Sequence, residues 1–499
     1  MSRPSDLSLA ADVVIVGAGA AGAAAALEVT AAGASFVGLD ALDALGGTAI
    51  TSGGGVCVAG TSFQQAHGIV DSPEAGLRDH LEVADGEADE AWARFYYDHA
   101  VEDVYAWLVS LGVEFVVLHE HEETSVPRWH GPRDSGRGIM TALGRALSTV
   151  AGAEQWRFGV TVDEVLVDGG RVVGVAGTSA EGDRIAAHGR AVIMATGGFA
   201  GSRDEVLTWA PELARAQGLL VGGGLGATGR GHRLLLDLDA ELVNPGNLWI
   251  YAHATPDPRD TSGRRGLVIR GLDSAIWVNR DGRRFHDESL VGPGSATPAL
   301  LAQPGGTCWA ILDRPMLERI RIADPLFRGD AAERMAAIEW LVGVSRDIAS
   351  GDSPEALAAA AGIAAGPFAE TFAAWDSLVA SGTGRDPVTG RSLAGVQRYS
   401  GAPYVAVRFV PLVRKNLGGV RTDLRGRVLR PDASPIPGLY AAGELAGFGG
   451  GHLAGRRAPE GIMIGGSLLG GRVAGAWAAS EVGRGAPSAR WGGGSGPRA

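Results

Sequence analysis

The chain opens its first readable pattern at Val13-Val14-Ile15-Val16, an unbroken apolar run rich in β-branched residues. Such a run, with no polar alternation, predicts a parallel strand buried on both faces. It breaks into Gly17-Ala18-Gly19-Ala20-Ala21-Gly22, and an Ala-rich stretch follows that predicts a helix. A second strand is predicted over 35–39, ending at Asp40. Apolar residues three and four apart predict helices within 74–112, and another over 139–150. Between them, residues 126–138 mix His, Arg, Pro and Gly and read as a loop. Strands follow over 158–165 and 171–177 around the turn Asp168-Gly169-Gly170, and again over 191–195. A helix ending near Asp239 follows Ala227-Thr228-Gly229-Arg230-Gly231. From about residue 246 the texture shifts to mixed aromatics, prolines and charges. Two strands are expected around Asn279-Arg280-Asp281-Gly282, and then Ala-rich helices over 315–381. Strand patterns return over 403–410 and 418–429, and the last unit is a strand at 438–442 and a helix over 467–480.

Strand and helix alternate around glycine turns, which predicts an α/β fold with a Rossmann-like nucleotide-binding domain. The expected division is 1–245 and 399–484 for that domain, with an α+β cap inserted at 246–398 and a disordered tail at 485–499. In G-x-G-x-x-G, Gly17 permits the tight turn, Gly19 lets backbone approach a pyrophosphate, and Gly22 lets helix pack on strand. The helix N-terminus offers free N–H groups to phosphate. Asp40 stands about 20 residues further on, where a carboxylate accepts from ribose hydroxyls. Gly46-Gly47-Thr48 and Thr51-Ser52-Gly53-Gly54-Gly55 form a second loop low in side-chain bulk, suited to close passage of a cofactor.

Composition narrows the function without naming it. The 78 glycines among 499 residues lie in short clusters beside apolar runs, so no repeat protein is expected. A formal charge of −12 argues against nucleic acid or an anionic membrane as main partner. Cys57 and Cys308 give neither metal spacing nor a disulfide framework, so no metal is expected and a reducing cytoplasm is the default compartment. The first eleven residues lack the features of a signal peptide, and no stretch of 18 uninterrupted apolar residues predicts a membrane span.

Four blocks in order carry a resemblance: the glycine fingerprint, VIMATGGF at 192–199, VNRDGRRFHDE at 278–288, and 417–475 with LGGVRTD, IPGLYAAGE and SLLGGRVAG. Together they resemble the flavoprotein family of fumarate reductases, succinate dehydrogenase flavoprotein subunits and 3-ketosteroid dehydrogenases. The resemblance implies an FAD domain of the glutathione-reductase type interrupted by a cap. It also implies hydride transfer between flavin N5 and a substrate carbon beside an electron-withdrawing group. Carried over, Gly17, Gly19, Ala21 and Gly22 would form the pyrophosphate turn and Asp40 would hold the adenosine ribose. Gly47, Thr48, Ser52, Gly53 and Gly54 would line the phosphates and one flavin edge. Val162 would meet the adenine through its backbone, and Thr196, Gly197 and Gly198 would pack under the adenosine half. Gly443 and Glu444 would reach the ribityl chain, and Ser467 and Leu468 would begin a helix aimed at the pyrimidine edge. Family members with covalent flavin carry a His in the stretch corresponding to residues 48–55. None stands there, which implies non-covalent FAD.

The chain also departs from its resemblance. Residues 289–294 lack the Arg proton donor of fumarate reductases, and Arg414-Lys415-Asn416 replaces their His pair. The Tyr-Pro-Gly-Pro-Gly segment of ketosteroid Δ1-dehydrogenases is replaced by residues 451–461. His130 aligns with a substrate-binding His and would bond a substrate oxygen or transfer a proton near neutral pH, against a plain surface role beside Trp129. Arg456 falls where a carboxylate-clamping Arg stands, against a structural pairing of Arg456 or Arg457 with Glu460. Tyr404 would act as acid/base or oxygen donor, against a packed hinge aromatic. Tyr251 and His253 are weaker candidates, and Arg283-Arg284 reads as a solvated turn. The leading expectation is an FAD-dependent oxidoreductase of a CH–CH bond next to a carbonyl, acting on a ketosteroid-like or other cyclic ketone. The alternatives are a reductase of a small unsaturated carboxylate, or a redox-neutral flavoprotein isomerase or electron-transfer subunit. The partners expected are a small-molecule substrate and an electron acceptor or donor that the residues do not identify.

Overall fold

The computed structural model describes residues 6–150, 155–484 and 491. The chain forms two compact units. One holds the described residues to Ala210, Gly223–Leu248 and the described residues from Lys415 on; the other holds Pro211–Gly222 and Trp249–Arg414. The inserted unit thus runs sixteen residues past the expected boundary at 398, and it recruits a short segment, 211–222, from before the insertion.

In the first unit the apolar runs become a six-stranded sheet. Its order is Arg427–Leu429, Pro435–Ala441, Ala191–Met194, Val13–Val16, Phe36–Leu39, Trp156–Arg157. The last four neighbouring pairings are parallel and the first is antiparallel. Val13 to Val16 are all buried, as an uninterrupted β-branched run requires when helices and sheet cover both faces. They pair in register with Phe36 to Leu39. Helix Ala20–Ala31 leaves the fingerprint and packs along helix Ile462–Glu481. Glycines set that approach: a Cβ on Gly471 would stand 2.2 Å from the Ala21 oxygen, and one on Gly475 2.5 Å from the Ala25 oxygen. Helix Ile462–Glu481 is long and apolar enough to cross a membrane, but most of it is buried inside this unit. It starts five residues earlier than expected, because the glycines of Gly465-Gly466 pack within the helix and do not form a loop.

A four-stranded sheet carries Val162 within Val160–Asp168, paired with Arg171–Ser179 through the expected glycine turn. A three-stranded sheet joins Val56–Cys57, Trp129–Pro132 and Phe115–His119. The segment read as a loop is therefore partly a strand, and helix Ser135–Val150 begins four residues before the expected start. Of the expected disordered tail, only Trp491 lies among the described residues. It is buried, with its ring 5.5 Å from that of His99 and under the Arg472 guanidinium.

The second unit is built on an eight-stranded sheet around Tyr404–Asn416, whose last two residues pass into the first unit. Leu220–Val221 pairs parallel with Leu412 and Val413, which explains why 211–222 belongs here. Of the two strands expected around 279–282, Ile276–Val278 forms and pairs with Cys308–Leu312. The other side makes only the bridge Val278 to Arg284. Arg284 is no solvated turn residue. It donates from Nε and Nη2 to the two oxygens of buried Glu288, at 2.7 and 2.8 Å, and lies over the Trp375 ring. Glu288 also accepts from buried Arg391 at 2.6 Å. Arg283 does stand exposed, paired with Glu370.

Candidate functional site

The fingerprint has the geometry a dinucleotide needs. Gly17 sits at φ 107°, and a Cβ there would meet the Ala195 oxygen at 2.2 Å. A Cβ on Gly22 would stand 1.8 Å from the Gly17 oxygen. A Cβ on Gly19 would meet no protein atom within 4 Å. The first and third glycines thus close the turn, and the second faces an open cradle. Gly47 comes to this cradle, with its added Cβ 3.1 Å from Gly19 Cα. Gly197 also faces open space, at φ 75°. Beside it, buried Thr196 Oγ1 has no hydrogen-bond partner in the described fold. An open glycine cradle and an unpartnered buried hydroxyl fit a bound FAD.

Asp40 reaches the same turn. Its carboxylate accepts from Ala18 N at 2.5 Å and Leu42 N at 2.7 Å. Burial raises its pKa above the usual range, and these two N–H groups act against that rise. A carboxylate has lone pairs beyond those two bonds for a ribose. Val160 N donates to the Asp40 carbonyl, which brings the Val162 strand to the same side. Ser52 Oγ donates to Ala49 O and accepts from Gly54 N, shaping the second glycine loop. Gly53 lies against Trp129, and Thr48 against Gly224, whose added Cβ would be 2.1 Å from Thr48 Oγ1.

Gly443 is held against Ala21 and Ser467, with its added Cβ 3.0 Å from Ala21 Cβ and 3.7 Å from Ser467 Oγ. Ser467 and Leu468 do not start the helix, however. Gly461 is the N-cap at φ 99°, so the helix dipole acts from Ile462 onward, and its effect fades within the first turn. Ser467 therefore offers its hydroxyl, and the helix N-terminus lies one turn before it.

Sequence reasoning missed Asn416 as a binding-site organiser. Its Oδ1 accepts from Phe199 N, its Nδ2 donates to Gly418 O and Glu444 O, and its backbone N donates to Glu444 Oε1. One side chain thus ties the ATGGF turn, the LGG turn and the GE segment. The clue was a lone amide just before a glycine pair, which has no local signature. Gly198 has no room for a side chain here: an added Cβ would be 2.1 Å from Asn416 Oδ1 and 2.2 Å from Glu444 Oε1.

Burial of Glu444 pushes its pKa up to about 7, only partly opposed by the Asn416 N–H and by Lys415. Raised above its unfolded value, it contributes stability that is full below about pH 4.5 and is lost as pH rises through about 7. Glu444→Gln apoprotein should therefore gain on the wild type by ~3 kcal/mol between pH 4.5 and 8 in urea unfolding. Parallel stability curves for the two proteins would show that Glu444 is ionised at no cost.

His130 lies on the strand Trp129–Pro132 and is fully buried. Nδ1 is 2.8 Å from the Arg128 carbonyl, which can only accept, so Nδ1 carries the proton and Nε2 accepts from Thr61 Oγ1 at 2.7 Å. Burial lowers its pKa to about 4. The expectation of proton transfer near neutral pH is thus corrected: His130 is neutral there and both nitrogens are engaged. The neighbouring Arg128 holds this corner through Asp71 at 2.8 Å and Asp79 at 2.5 Å.

Arg456 pairs with Glu87 at 2.5 Å, and its side chain is 65% exposed. Neither Arg456 nor Arg457 takes Glu460, which faces His121 at 3.4 Å. Arg457 is half-buried and has no hydrogen-bond or ion-pair partner among the described residues. In the other unit, Tyr404 packs by its ring against Phe372 at 5.2 Å and Tyr399 at 6.1 Å. Burial raises its pKa, so its phenol stays protonated. No group of His, Cys, Asp and Glu side chains suited to a metal occurs among the described residues.

Comparison with known proteins agrees with this geometry. Residues 12–462 match the family model described as FAD binding domain. The chain is 30% identical over 467 residues to the NADH:fumarate oxidoreductase of Klebsiella pneumoniae (strain 342), covering 93% of this chain and 47% of that protein. The chain thus spans about half the length of that relative. It is 29% identical over 552 residues to a KsdD-like steroid dehydrogenase of Mycobacterium tuberculosis (strain CDC 1551 / Oshkosh), covering 95% and 96% of the two chains. The 3-ketosteroid-delta4-(5alpha)-dehydrogenase structure from Rhodococcus jostii RHA1 superposes with a TM-score of 0.73 at 25% identity, covering 96% of this chain and all of that one. The chain thus belongs to the FAD binding domain family as an FAD-dependent oxidoreductase.

Proposed function

We propose that the protein oxidises or reduces a carbon–carbon bond next to a carbonyl, with a cyclic, ketosteroid-like ketone as the leading substrate class. Bound FAD supplies the hydride acceptor or donor at N5. The chain's residues do the rest. Gly17, Gly19 and Gly22 hold the pyrophosphate against the helix N-terminus, and Asp40 holds the ribose. Glu444, fixed by Asn416, lines the ribityl side. The role expected of Arg456 passes in this reading to Arg457, the neighbour without a carboxylate. Its fork holds the substrate's carbonyl oxygen as charge builds there. Tyr404 is the proton-bearing candidate of the inserted unit, and His130 positions the wall of the FAD unit without exchanging protons.

The observation that carries this reading is the half-buried, unpartnered Arg457, thirteen residues after Glu444 in the FAD unit. The ketone class draws support from residues 289–294, which hold no Arg, and from Arg283 and Arg284, both committed to carboxylates. The near full-length match to a steroid dehydrogenase points the same way. A small unsaturated carboxylate is the second reading, favoured by the same open guanidinium fork and by the match to a fumarate oxidoreductase. An anaerobic screen of the holoenzyme separates them. Bleaching of the oxidised flavin band by saturated cyclic ketones supports the first. Return of that band when a reduced sample meets unsaturated carboxylates supports the second, and silence in both directions refutes the proposal.

Two predictions concern the cofactor. Acid precipitation should release the yellow chromophore into the supernatant, because no His stands at 48–55; flavin retained in the pellet would mean a covalent link. Asp40→Ala should weaken FAD binding by about 1.5–3 kcal/mol, the value of a hydrogen bond to a charged acceptor. An unchanged affinity in titration of apoprotein would show that the ribose is held elsewhere.

A further inference from the structure

We propose that buried His80 is a positioning residue that fixes the loop carrying Arg457 through a hydrogen bond to the Leu453 carbonyl. This rests on the reading of Arg457 above and extends it to what holds that arginine in place. His80 stands on helix Pro73–Val83 and is fully buried. Its Nε2 is 2.8 Å from Leu453 O. A carbonyl only accepts, so Nε2 carries the proton and donates. The Tyr97 ring meets the imidazole edge-on at 5.8 Å. Burial lowers the His80 pKa to about 4, against the opposing effect of the Leu453 carbonyl, so the ring is neutral at pH 7. Nδ1 is buried and has no hydrogen-bond partner among the described residues. An apolar side chain would fill this place without burying an acceptor that nothing there satisfies. The bond to Leu453 is the one hydrogen bond that the histidine makes among the described residues.

The loop needs such a hold. Five of the nine residues 447–455 are glycine, so the stretch loses much backbone freedom when it orders. Its contacts run to the segment that joins helices Pro73–Val83 and Glu90–His99. Asp89 N donates to His452 O at 3.1 Å, and a Cβ on Gly455 would stand 2.9 Å from Ala88 N. His80 takes the next carbonyl from inside the fold, four residues before Arg457. Two consecutive carbonyls, of His452 and Leu453, are thus bonded to this helical hairpin. Glu87 of the same hairpin takes Arg456. That pair is screened by solvent, whereas the buried His80 bond is not. A shift of about 1 Å at a group that acts on substrate costs on the order of 100-fold in rate, so a loosened loop is felt at Arg457.

Hydrogen exchange of the holoenzyme, read in peptides spanning 447–461, tests the hold. His80→Leu, which fills the space without a donor, should speed exchange there about tenfold or more while the flavin spectrum stays unchanged. His80→Asn, too short to reach Leu453 O, should do the same. His80→Gln, whose amide N–H reaches nearly as far as Nε2, should stay close to the wild type. The comparison of Asn with Gln decides the matter if the Leu variant does not fold. Turnover of the Leu and Asn variants should fall about tenfold or more, in kcat more than in KM, and adding His80→Leu to Arg457→Ala should slow it no further. Loop exchange unchanged in the Leu and Asn variants, equal exchange in Asn and Gln, or turnover losses that multiply in the double variant overturns the proposal. Faster loop exchange in His80→Leu beside a fully active Arg457→Ala would leave the hold standing and remove the role of Arg457. An inactive Arg457→Ala with unchanged loop exchange in His80→Leu would do the reverse.

Discussion

Gly22→Ala should yield a protein that holds no FAD and melts below the wild type, while Gly19→Ala should bind FAD more weakly and keep the apoprotein's melting temperature. The two substitutions add the same methyl group three residues apart, and their surroundings separate them. At Gly22 the new Cβ would stand 1.8 Å from the Gly17 oxygen, so the turn or the helix must move. Overpacking of this kind costs about 1–3 kcal/mol and sometimes more. The displaced turn is also the proposed phosphate cradle, so cofactor should go with stability. At Gly19 the new Cβ meets nothing in the protein within 4 Å. It occupies space where the pyrophosphate must approach, and affinity should fall on the order of tenfold or more, the value of one lost charge-assisted hydrogen bond. Flavin-to-protein absorbance ratios and calorimetry of the apoproteins read both effects. A Gly19→Ala protein that binds FAD as tightly as the wild type would place the pyrophosphate elsewhere.

This part of the molecule was legible in the sequence because its physics is local. Strand, glycines, helix and acid lie within thirty residues of one another, and each residue type answers to a steric demand nearby. What escaped was set by distant contacts. Asn416 earns its role from Phe199, Gly418 and Glu444, which come together only in the folded sheet. His130 read as a loop residue because Gly131, Pro132 and several arginines surround it. Its strand is short and is held by pairing with Val56, not by an apolar run. The helix over 467–480 was placed too late because Gly465 and Gly466 looked like loop residues. They serve close packing, with added Cβ atoms 2.0 Å from Tyr96 Oη and 2.6 Å from Phe448 O. The inserted unit's boundary was misplaced because strand Tyr404–Asn416 runs through it to Arg414 without a change of texture.

Arg457→Ala should keep the FAD spectrum and melting temperature near wild type while turnover falls by roughly 100-fold or more, the scale of losing one charge-stabilising donor. Arg456→Ala should change turnover little. Arg456 spends its charge on Glu87 and is mostly exposed, and exposed pairs of this kind contribute about 0–1 kcal/mol. Glu87 keeps its other bond, from Asn247 Nδ2 at 2.8 Å, when Arg456 is removed. Arg457 has no such commitment, so its deletion strips nothing from the fold. A fixed cation near a carbonyl oxygen acts most strongly when charge builds there, so the loss should fall on kcat more than on KM. Arg457→Lys should rescue only in part, because a planar fork becomes a point charge. The reverse pattern, with Arg456→Ala inactive and Arg457→Ala active, would return the role to Arg456 and require it to leave Glu87 when substrate binds. Loss of FAD or of folding in Arg457→Ala would instead make Arg457 a structural residue of the loop that follows Glu444.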